Sequence, residues 1–164
     1  MLVDSHCHLN MLNLEPYDNK LLNVIKAAEN VGVKHFLCVS VDLETFSAVL
    51  DCAKSFDNVY ASAGVHPNDS EDEPISVKDL VKLADDKHVI AIGETGLDYF
   101  RSQGDLEWQR DAFRRHIQAA KIVNKPVIIH TREAADDTIS IMQEESIADV
   151  GGVMHCFTET WEMA

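Results

Sequence analysis

Val127-Ile128-Ile129-His130 is a short, continuously apolar run that ends on a histidine, and Pro126 stands directly before it. Such a run is typical of a β-strand buried on both faces in a parallel sheet. The same arrangement, an apolar run followed by His or Glu, recurs at residues 1–8, 59–66, 89–94 and 152–155. Because catalytic groups of α/β barrels stand at the carboxyl ends of strands, these polar residues are predicted to converge on one face.

Apolar residues at helical spacing lie between the predicted strands. Strands are expected near residues 2–6, 34–39, 58–64, 88–94, 126–130 and 150–155, and helices near 21–31, 46–53, 77–84, 106–123 and 138–142. This alternation predicts an α/β fold with a parallel sheet. Candidate ligands at four or more strand ends favour a TIM-like (β/α)8 barrel over an open doubly wound sheet, which stays an alternative.

The length of 164 residues is short for a barrel, since eight β/α units usually need about 250 residues. We therefore expect a single catalytic barrel domain over residues 1–164, built from about the first six β/α units and incomplete at its C-terminal end. Six units would leave open strand edges with unpaired backbone groups. Possible self-association through these open barrel edges is the expected consequence.

The histidines of Asp4-Ser5-His6-Cys7-His8 have the spacing of metal ligands. Alternate residues of a strand point to the same side, so His6 and His8 are expected to stand together at the end of the first strand. Two neutral imidazoles aimed at one point suit a divalent transition metal. Glu94 is the best-placed carboxylate to bridge two metals about 3.5–4 Å apart.

The composition is that of an ordinary globular chain, with 46% hydrophobic and 26% charged residues. The formal net charge of −14 argues against a broad basic surface for nucleic acid. It is compatible with a phosphate substrate, because bound divalent cations would supply the positive charge at the reacting centre. The acidic segment 69–73 is expected to be a solvated loop.

Neither a membrane span nor a signal peptide is predicted, which favours a cytoplasmic protein. The four cysteines lack C-x-x-C spacing and are expected to be reduced and mostly buried. Cys7 is expected to point away from the neighbouring histidines. Cys156, next to His155, is expected to pack rather than to bind metal.

Five segments together resemble the successive motifs of the TatD-family metal-dependent hydrolases. They are Asp4-Ser5-His6-Cys7-His8, Gly64-Val65-His66-Pro67, Ile92-Gly93-Glu94-Thr95-Gly96-Leu97-Asp98-Tyr99, Lys125-Pro126-Val127-Ile128-Ile129-His130-Thr131-Arg132 and His155-Cys156-Phe157-Thr158. They occur in the family's order and at its spacing. The resemblance implies a (β/α)8 barrel of the amidohydrolase superfamily and metal-dependent deoxyribonuclease activity, often as a 3′ to 5′ exonuclease.

The resemblance also implies roles for individual residues. His6 and His8 would bind a first metal, Glu94 would be shared by two metals and act as the catalytic residue that fixes the pair, and His130 and His155 would bind the second. The implied cofactors are two divalent ions, Mg²⁺, Mn²⁺ or Zn²⁺. The family's aspartate after the seventh strand has no counterpart within this sequence, which implies a weakened first site.

Three further residues are candidate substrate contacts. His66 would contact substrate or the scissile phosphate, or be a turn histidine with satisfied hydrogen bonds. Arg132 would bind a phosphate, or pair with Glu133 or Asp136. Asp98 would orient a ligand histidine or touch substrate, or cap its own loop.

The resulting expectation is a metal-dependent phosphodiesterase whose partner is DNA, single-stranded or at its 3′ ends. Related barrels use the same machinery on amides, lactones and phosphotriesters, so a small-molecule hydrolase of the amidohydrolase type is an alternative. A second alternative is an inactive, shortened metal-binding fragment.

Overall fold

The computed structural model describes residues 1–69 and 75–164; most of the predicted acidic loop lies outside them. Strands and helices alternate along the chain. The strands are β1 (Leu2–Cys7), β2 (Val33–Cys38), β3 (Val59–Ala63), β4 (Val89–Asp98), β5 (Val127–Arg132) and β6 (Gly152–Met154). The helices are α1 (Leu21–Asn30), α2 (Phe46–Ser55), α3 (Val77–Leu83), α4 (Glu107–Val123) and α5 (Ala135–Glu144), with short 3-10 turns at Leu9–Met11, Glu15–Tyr17 and Ile147–Asp149.

The six strands form one parallel sheet in the order β1-β2-β3-β4-β5-β6. Each strand therefore pairs with the next along the chain, which is the order of a barrel wall and not of a doubly wound sheet. Within the described residues β1 and β6 each pair on one side only. Self-association through these edges stays a prediction.

The sheet is strongly curled. In a flat sheet the five steps from β1 to β6, at about 4.8 Å each, would separate the edges by about 24 Å. Instead the ring of His6 on β1 stacks on the ring of His155, which follows β6, with centroids 3.5 Å apart. The predicted α/β fold with six units of barrel type is thus the observed one, and its curvature gathers the strand ends.

The largest core cluster lies between the sheet and its helices. Phe113 and Ile117 of α4 are fully buried against Ile92, Leu97 and Ile129 of the sheet. Several predicted boundaries are wrong by one to four residues, among them the ends of the first helix and of the fourth strand. Val31, placed in the first apolar stripe, follows the end of α1 and is 76% exposed, and β4 continues four residues beyond Glu94 to Asp98.

The cysteines were expected to be mostly buried, and the structure confirms this for some of them. Cys38 and Cys52 are buried, and Cys7 is half-buried with its thiol donating to the Leu37 carbonyl, 3.3 Å away. Cys156 is exposed, so the expectation that it packs is wrong. It has a left-handed backbone with φ of 48° and lies in an exposed turn after β6. In the described part of the chain, no helix has the length and apolarity needed to cross a membrane.

His116 of α4 is a fully buried histidine with both ring nitrogens engaged. Nε2 accepts the backbone N–H of Val65 at 3.0 Å, and Nδ1 donates to the Ala112 carbonyl at 2.7 Å. This pattern requires the neutral ring, because a protonated Nε2 could not accept from Val65. Burial accordingly lowers the pKa of His116 to about 4.

The depressed pKa predicts a loss of stability in acid. The unfolded chain takes up this proton near pH 6.5, so the contribution of neutral His116 is complete above that pH and is lost as pH falls towards 4. A shift of this size corresponds to about 3 kcal/mol. Urea unfolding from pH 7 to pH 4 should show a steeper loss for the native chain than for His116→Gln, whose amide keeps a donor and an acceptor without titrating. Parallel pH profiles would contradict this account.

Candidate metal centre

The carboxyl ends of five strands deliver polar side chains into one cavity of about 410 Å³. The strand order explains this, because parallel strands end at the same edge of the sheet. The residues predicted as ligands or substrate contacts all line it: His6, His8, His66, Glu94, Asp98, His130, Arg132 and His155. Val41, Asn68, Asp69 and Arg101 complete the lining among the described residues.

Glu94 lies at the centre of this cavity and is 4% exposed. Its Oε2 is 3.2 Å from His6 Nε2, and its Oε1 is 3.3 Å from His130 Nδ1 and 4.0 Å from His66 Nε2. Burial by itself raises the pKa of a carboxyl group, but the imidazoles of His130 and His6 beside it outweigh the effect of burial. The pKa of Glu94 is therefore held well below its usual range, and the group is a carboxylate.

One group of possible ligands joins His6, Glu94 and His155, whose ligand atoms all lie within 4.8 Å of one another. His6 Nε2 is buried and has no hydrogen bond of acceptable geometry to any described residue, although Glu94 Oε2 lies 3.2 Å away. A buried nitrogen lone pair without a partner is costly unless a ligand satisfies it. Burial and the adjacent His6 ring lower the pKa of His155, which keeps its imidazole neutral and able to bind a cation.

A second group joins His66, Glu94 and His130 within the same distance. Burial lowers the pKa of His66 to about 4, so this ring too is neutral. His130 differs because both of its nitrogens face carboxylates. Burial lowers its pKa, but hydrogen bonds to Glu94 and Asp98 raise it above the usual value overall. The two groups share Glu94, and each offers a donor set of two imidazoles and one carboxylate, which fits a divalent transition metal.

His8 belongs to neither group, although it lines the cavity. Its ring stands edge-on to that of His6 with centroids 5.3 Å apart. His8 Nδ1 lies 3.0 Å from the Val39 carbonyl oxygen, to which it donates in the neutral ring. A backbone carbonyl on one nitrogen is the usual partner of a metal-binding histidine, and it leaves Nε2 with the free lone pair.

The grouping of the histidines differs from the expected one. His155 stands with His6 instead of with His130, because the curled sheet brings β6 back against β1. His66, expected at the substrate, takes the place beside His130, with ring centroids 4.5 Å apart. The metal-binding roles of these residues stay predictions; the shared position of Glu94 is common to both arrangements.

Asp98 holds the second group and the following loop in place. Its Oδ2 lies 3.2 Å from His130 Nε2 and accepts from Asn68 Nδ2 at 3.3 Å. Its Oδ1 accepts the backbone N–H groups of Phe100 and Arg101 at 3.1 and 2.9 Å. Asp98 thus both orients a candidate ligand and caps its own loop, two alternatives that the sequence left open.

Arg132 stacks on an aromatic ring and does not pair with a carboxylate among the described residues. Its guanidinium carbon lies 3.8 Å above the centroid of Phe100, which is 55% exposed. A guanidinium held this way keeps its donors for an anion at the cavity. Tyr99, by contrast, is used within the protein, since its hydroxyl donates to Asp137 Oδ2 at 2.5 Å and accepts from Arg110 at 3.0 Å.

Gln109 is a buried residue whose place beside the cavity is not evident from the sequence. It lies on α4, is fully buried, and its Oε1 accepts the backbone N–H of Asp98 at 2.9 Å. Its Nε2 donates to the Pro67 and Asp98 carbonyls at 3.3 and 3.2 Å and to Ser102 Oγ at 2.9 Å. This side chain therefore joins three segments that border the cavity. A single glutamine on an amphipathic helix gives no sequence signal for such a role.

Replacing Gln109 with leucine should cost about 2–4 kcal/mol of unfolding free energy, because buried backbone groups at Asp98 and Pro67 lose their partner. Gln118→Leu is the matched control on the same helix. Gln118 is exposed and bonds only Glu145 among the described residues, so we expect a change within about 0.5 kcal/mol. Urea unfolding of both variants measures the difference. Equal costs would show that Gln109 does not hold these segments.

Comparison with known proteins assigns the family. The model of the family described as TatD related DNase matches residues 3–164. The chain is 44% identical over 163 residues to the uncharacterized metal-dependent hydrolase YcfH of Escherichia coli K12, covering 99% of this chain and 61% of YcfH. It is 31% identical over 141 residues to the 3′-5′ ssDNA/RNA exonuclease TatD of the same organism, covering 85% of this chain and 54% of that protein.

A solved structure gives the same result for the fold. The TatD homologue YJJV from E. coli K12 matches with a TM-score of 0.87 and 25% sequence identity, over 99% of this chain and 62% of YJJV. The chain thus spans about three fifths of the length of these relatives. The match over nearly every residue, together with the ligand cluster at the strand ends, leads to one conclusion: the chain belongs to the TatD-related DNase family.

Proposed function

We propose that this chain carries the metal centre of a divalent-metal-dependent phosphodiesterase that shortens single-stranded DNA from its 3′ end. The observation that carries the proposal is the buried Glu94 carboxylate, which is shared by two groups of imidazoles in one cavity. The name of the E. coli exonuclease TatD supports DNA or RNA as the substrate class.

Two sets of residues would each hold one cation. Glu94, His6 and His155 would hold one cation, and Glu94, His66 and His130 the other, with His8 as a further ligand. When bound, divalent cations supply Lewis acidity and positive charge at a phosphate oxygen and favour deprotonation of water. Asp98 keeps the His130 ring fixed through the 3.2 Å contact.

Arg132 would hold the phosphodiester in the cavity. Its guanidinium offers several donors in one plane, which matches two oxygens of a phosphate. The Phe100 ring beneath it restrains the side chain, so less conformational freedom is lost on binding. This positive group matters because the chain as a whole carries a formal charge of −14, and its long-range field repels DNA.

Digestion of 5′-labelled single-stranded DNA by the 164-residue chain with Mg²⁺ or Mn²⁺ tests the proposal. The expected product is a ladder that shortens by one nucleotide at a time and disappears with a chelator. The same DNA blocked at its 3′ terminus by a phosphorothioate linkage should be shortened much more slowly. Intact DNA at saturating metal would contradict the proposed function, and hydrolysis of a small ester or amide instead would favour the amidohydrolase-type alternative.

A further inference from the structure

A second cavity of about 340 Å³ adjoins the metal centre. Asn68 and Arg101 line both cavities, so these two side chains mark the boundary between them. The second cavity is otherwise lined by the loop that follows β4 and by the start of α4: Ser102, Gln103, Leu106 and Trp108. Its size is that of a small-ligand site.

Arg101 stands between the two cavities with its charge available. Its backbone N–H is fixed by Asp98 Oδ1 at 2.9 Å, and its side chain is exposed. It makes no ion pair with any residue that the structure describes. Arg110 and Arg114 on the adjacent helix, by contrast, each pair with several carboxylates. A guanidinium that pairs with no carboxylate in the described part of the chain, and that borders the candidate metal centre, suits a phosphate.

Asn68 presents an unused acceptor at the same junction. Its Nδ2 donates to Asp98 Oδ2 at 3.3 Å, which fixes the amide plane. Its Oδ1 is buried and has no hydrogen-bond partner among the residues that the structure describes. A buried acceptor of this kind is normally satisfied, so a donor from a ligand or water belongs at this position.

Trp108 supplies a half-buried indole in the first turn of α4. Its helix neighbours are firmly anchored, since Gln109 bonds Asp98 and Ser102, and Arg110 bonds Tyr99. The indole therefore belongs to a rigid segment. A ring that is already held in place loses little freedom when a flat ligand stacks on it.

We propose that this second cavity is a nucleotide subsite, in which Trp108 stacks on the base of the nucleotide next to the one at the metal centre. Arg101 contacts the phosphate that joins the two nucleotides, and Asn68 Oδ1 accepts a hydrogen bond from a base or sugar. The assignment rests on the proposed function, since it takes the chemistry at Glu94 to act on a nucleic-acid strand.

Tryptophan fluorescence tests this assignment without relying on turnover. The chain has two tryptophans, and Trp161 is 88% exposed and lines neither cavity, so Trp161→Phe leaves Trp108 as the single reporter. Nuclease-resistant phosphorothioate thymidine oligomers should quench it. The dinucleotide is expected to bind roughly tenfold more tightly than the mononucleotide, because stacking one base contributes on that order.

Variants separate the subsite from general folding, with affinity measured by calorimetry. Trp108→Leu should weaken dinucleotide binding roughly tenfold and leave mononucleotide binding within about twofold. Arg101→Gln should also weaken dinucleotide binding roughly tenfold, because the guanidinium borders both cavities and contacts the joining phosphate. Trp108→Phe should restore most of the affinity, which a purely structural role of the indole would not explain. Arg115→Gln is the matched control, because Arg115 pairs with no carboxylate among the described residues and lines neither cavity.

The outcomes distinguish the subsite from the proposed function. Two results would overturn the subsite: no quenching of Trp108 fluorescence, or unchanged dinucleotide affinity in Arg101→Gln. If DNA is still shortened stepwise in either case, the proposed phosphodiesterase stands. Quenching and length-dependent binding without any metal-dependent hydrolysis would support the subsite and contradict the phosphodiesterase. Equal affinity for mononucleotide and dinucleotide would also overturn the subsite.

Discussion

Glu94→Gln should remove most of the bound metal and nearly all hydrolysis. Glutamine keeps the size of the side chain but lacks the negative charge that both ligand groups share. Changes to outer partners of metal ligands already cost about 10–100-fold in affinity. For a shared ligand we expect more than about a hundredfold loss of metal affinity and roughly a thousandfold loss of rate. Elemental analysis and DNA digestion measure the two effects.

The control for this substitution is Glu44→Gln. Glu44 is exposed and forms no ion pair or hydrogen bond among the described residues, so metal content and rate should stay within about twofold of the native chain. Circular dichroism confirms that both variants fold. If the Glu94→Gln chain folds and keeps normal metal content and normal turnover, Glu94 is not the shared metal ligand.

Gly96→Ala should have the largest effect on stability. Gly96 has φ of +136°, a conformation that costs other residues about 1–3 kcal/mol. A Cβ at this position would also collide with the backbone carbonyl oxygen of His130 on the paired strand β5. Backbone cannot give way as a flexible side chain can. We expect a loss of about 3 kcal/mol or more in unfolding free energy, and a thermal midpoint lower by roughly 10 °C.

Gly104→Ala separates the cost of the positive φ from the cost of the steric clash. Gly104 also has a positive φ, +89°, but a Cβ there would have no heavy atom of the described residues within 4 Å. Its cost should be that of backbone strain alone, about 1 kcal/mol. If both alanine variants unfold at the same temperature, the close contact between Gly96 on β4 and the His130 carbonyl on β5 does not limit the size of residue 96.

Much of the fold was predictable because buried parallel strands leave a strong local signal. Continuous apolar runs such as residues 127–129 place the strands correctly, and the parallel order follows from helices between them. The first and last residues of the strands and helices were harder to predict. β4 extends to Asp98 because Thr95 to Asp98 pair with residues 129–132 of β5, a tertiary contact that the local pattern does not contain.

The sequence allowed us to predict which residues line the cavity, but not which histidines stand next to one another. His6, Glu94, His130 and His155 follow apolar strands, so their convergence follows from the fold. Their grouping depends on how strongly the sheet curls, and this sets His155 against His6. Gln109 and Arg101 could not be identified from the sequence because their surroundings depend on the tertiary structure. Gln109 bonds the Pro67 carbonyl of a distant segment, and Arg101 lines two cavities.

Anomalous diffraction from crystals soaked in Mn²⁺ would show directly whether Glu94 is the shared ligand of a divalent-metal centre. We expect anomalous peaks on both sides of the Glu94 carboxylate, one bounded by His6 and His155 and the other by His66 and His130. Both peaks should be absent from crystals of Glu94→Gln soaked in the same way. Peaks that lie only elsewhere on the protein, or no peak beside Glu94 at saturating Mn²⁺, would contradict this role of Glu94.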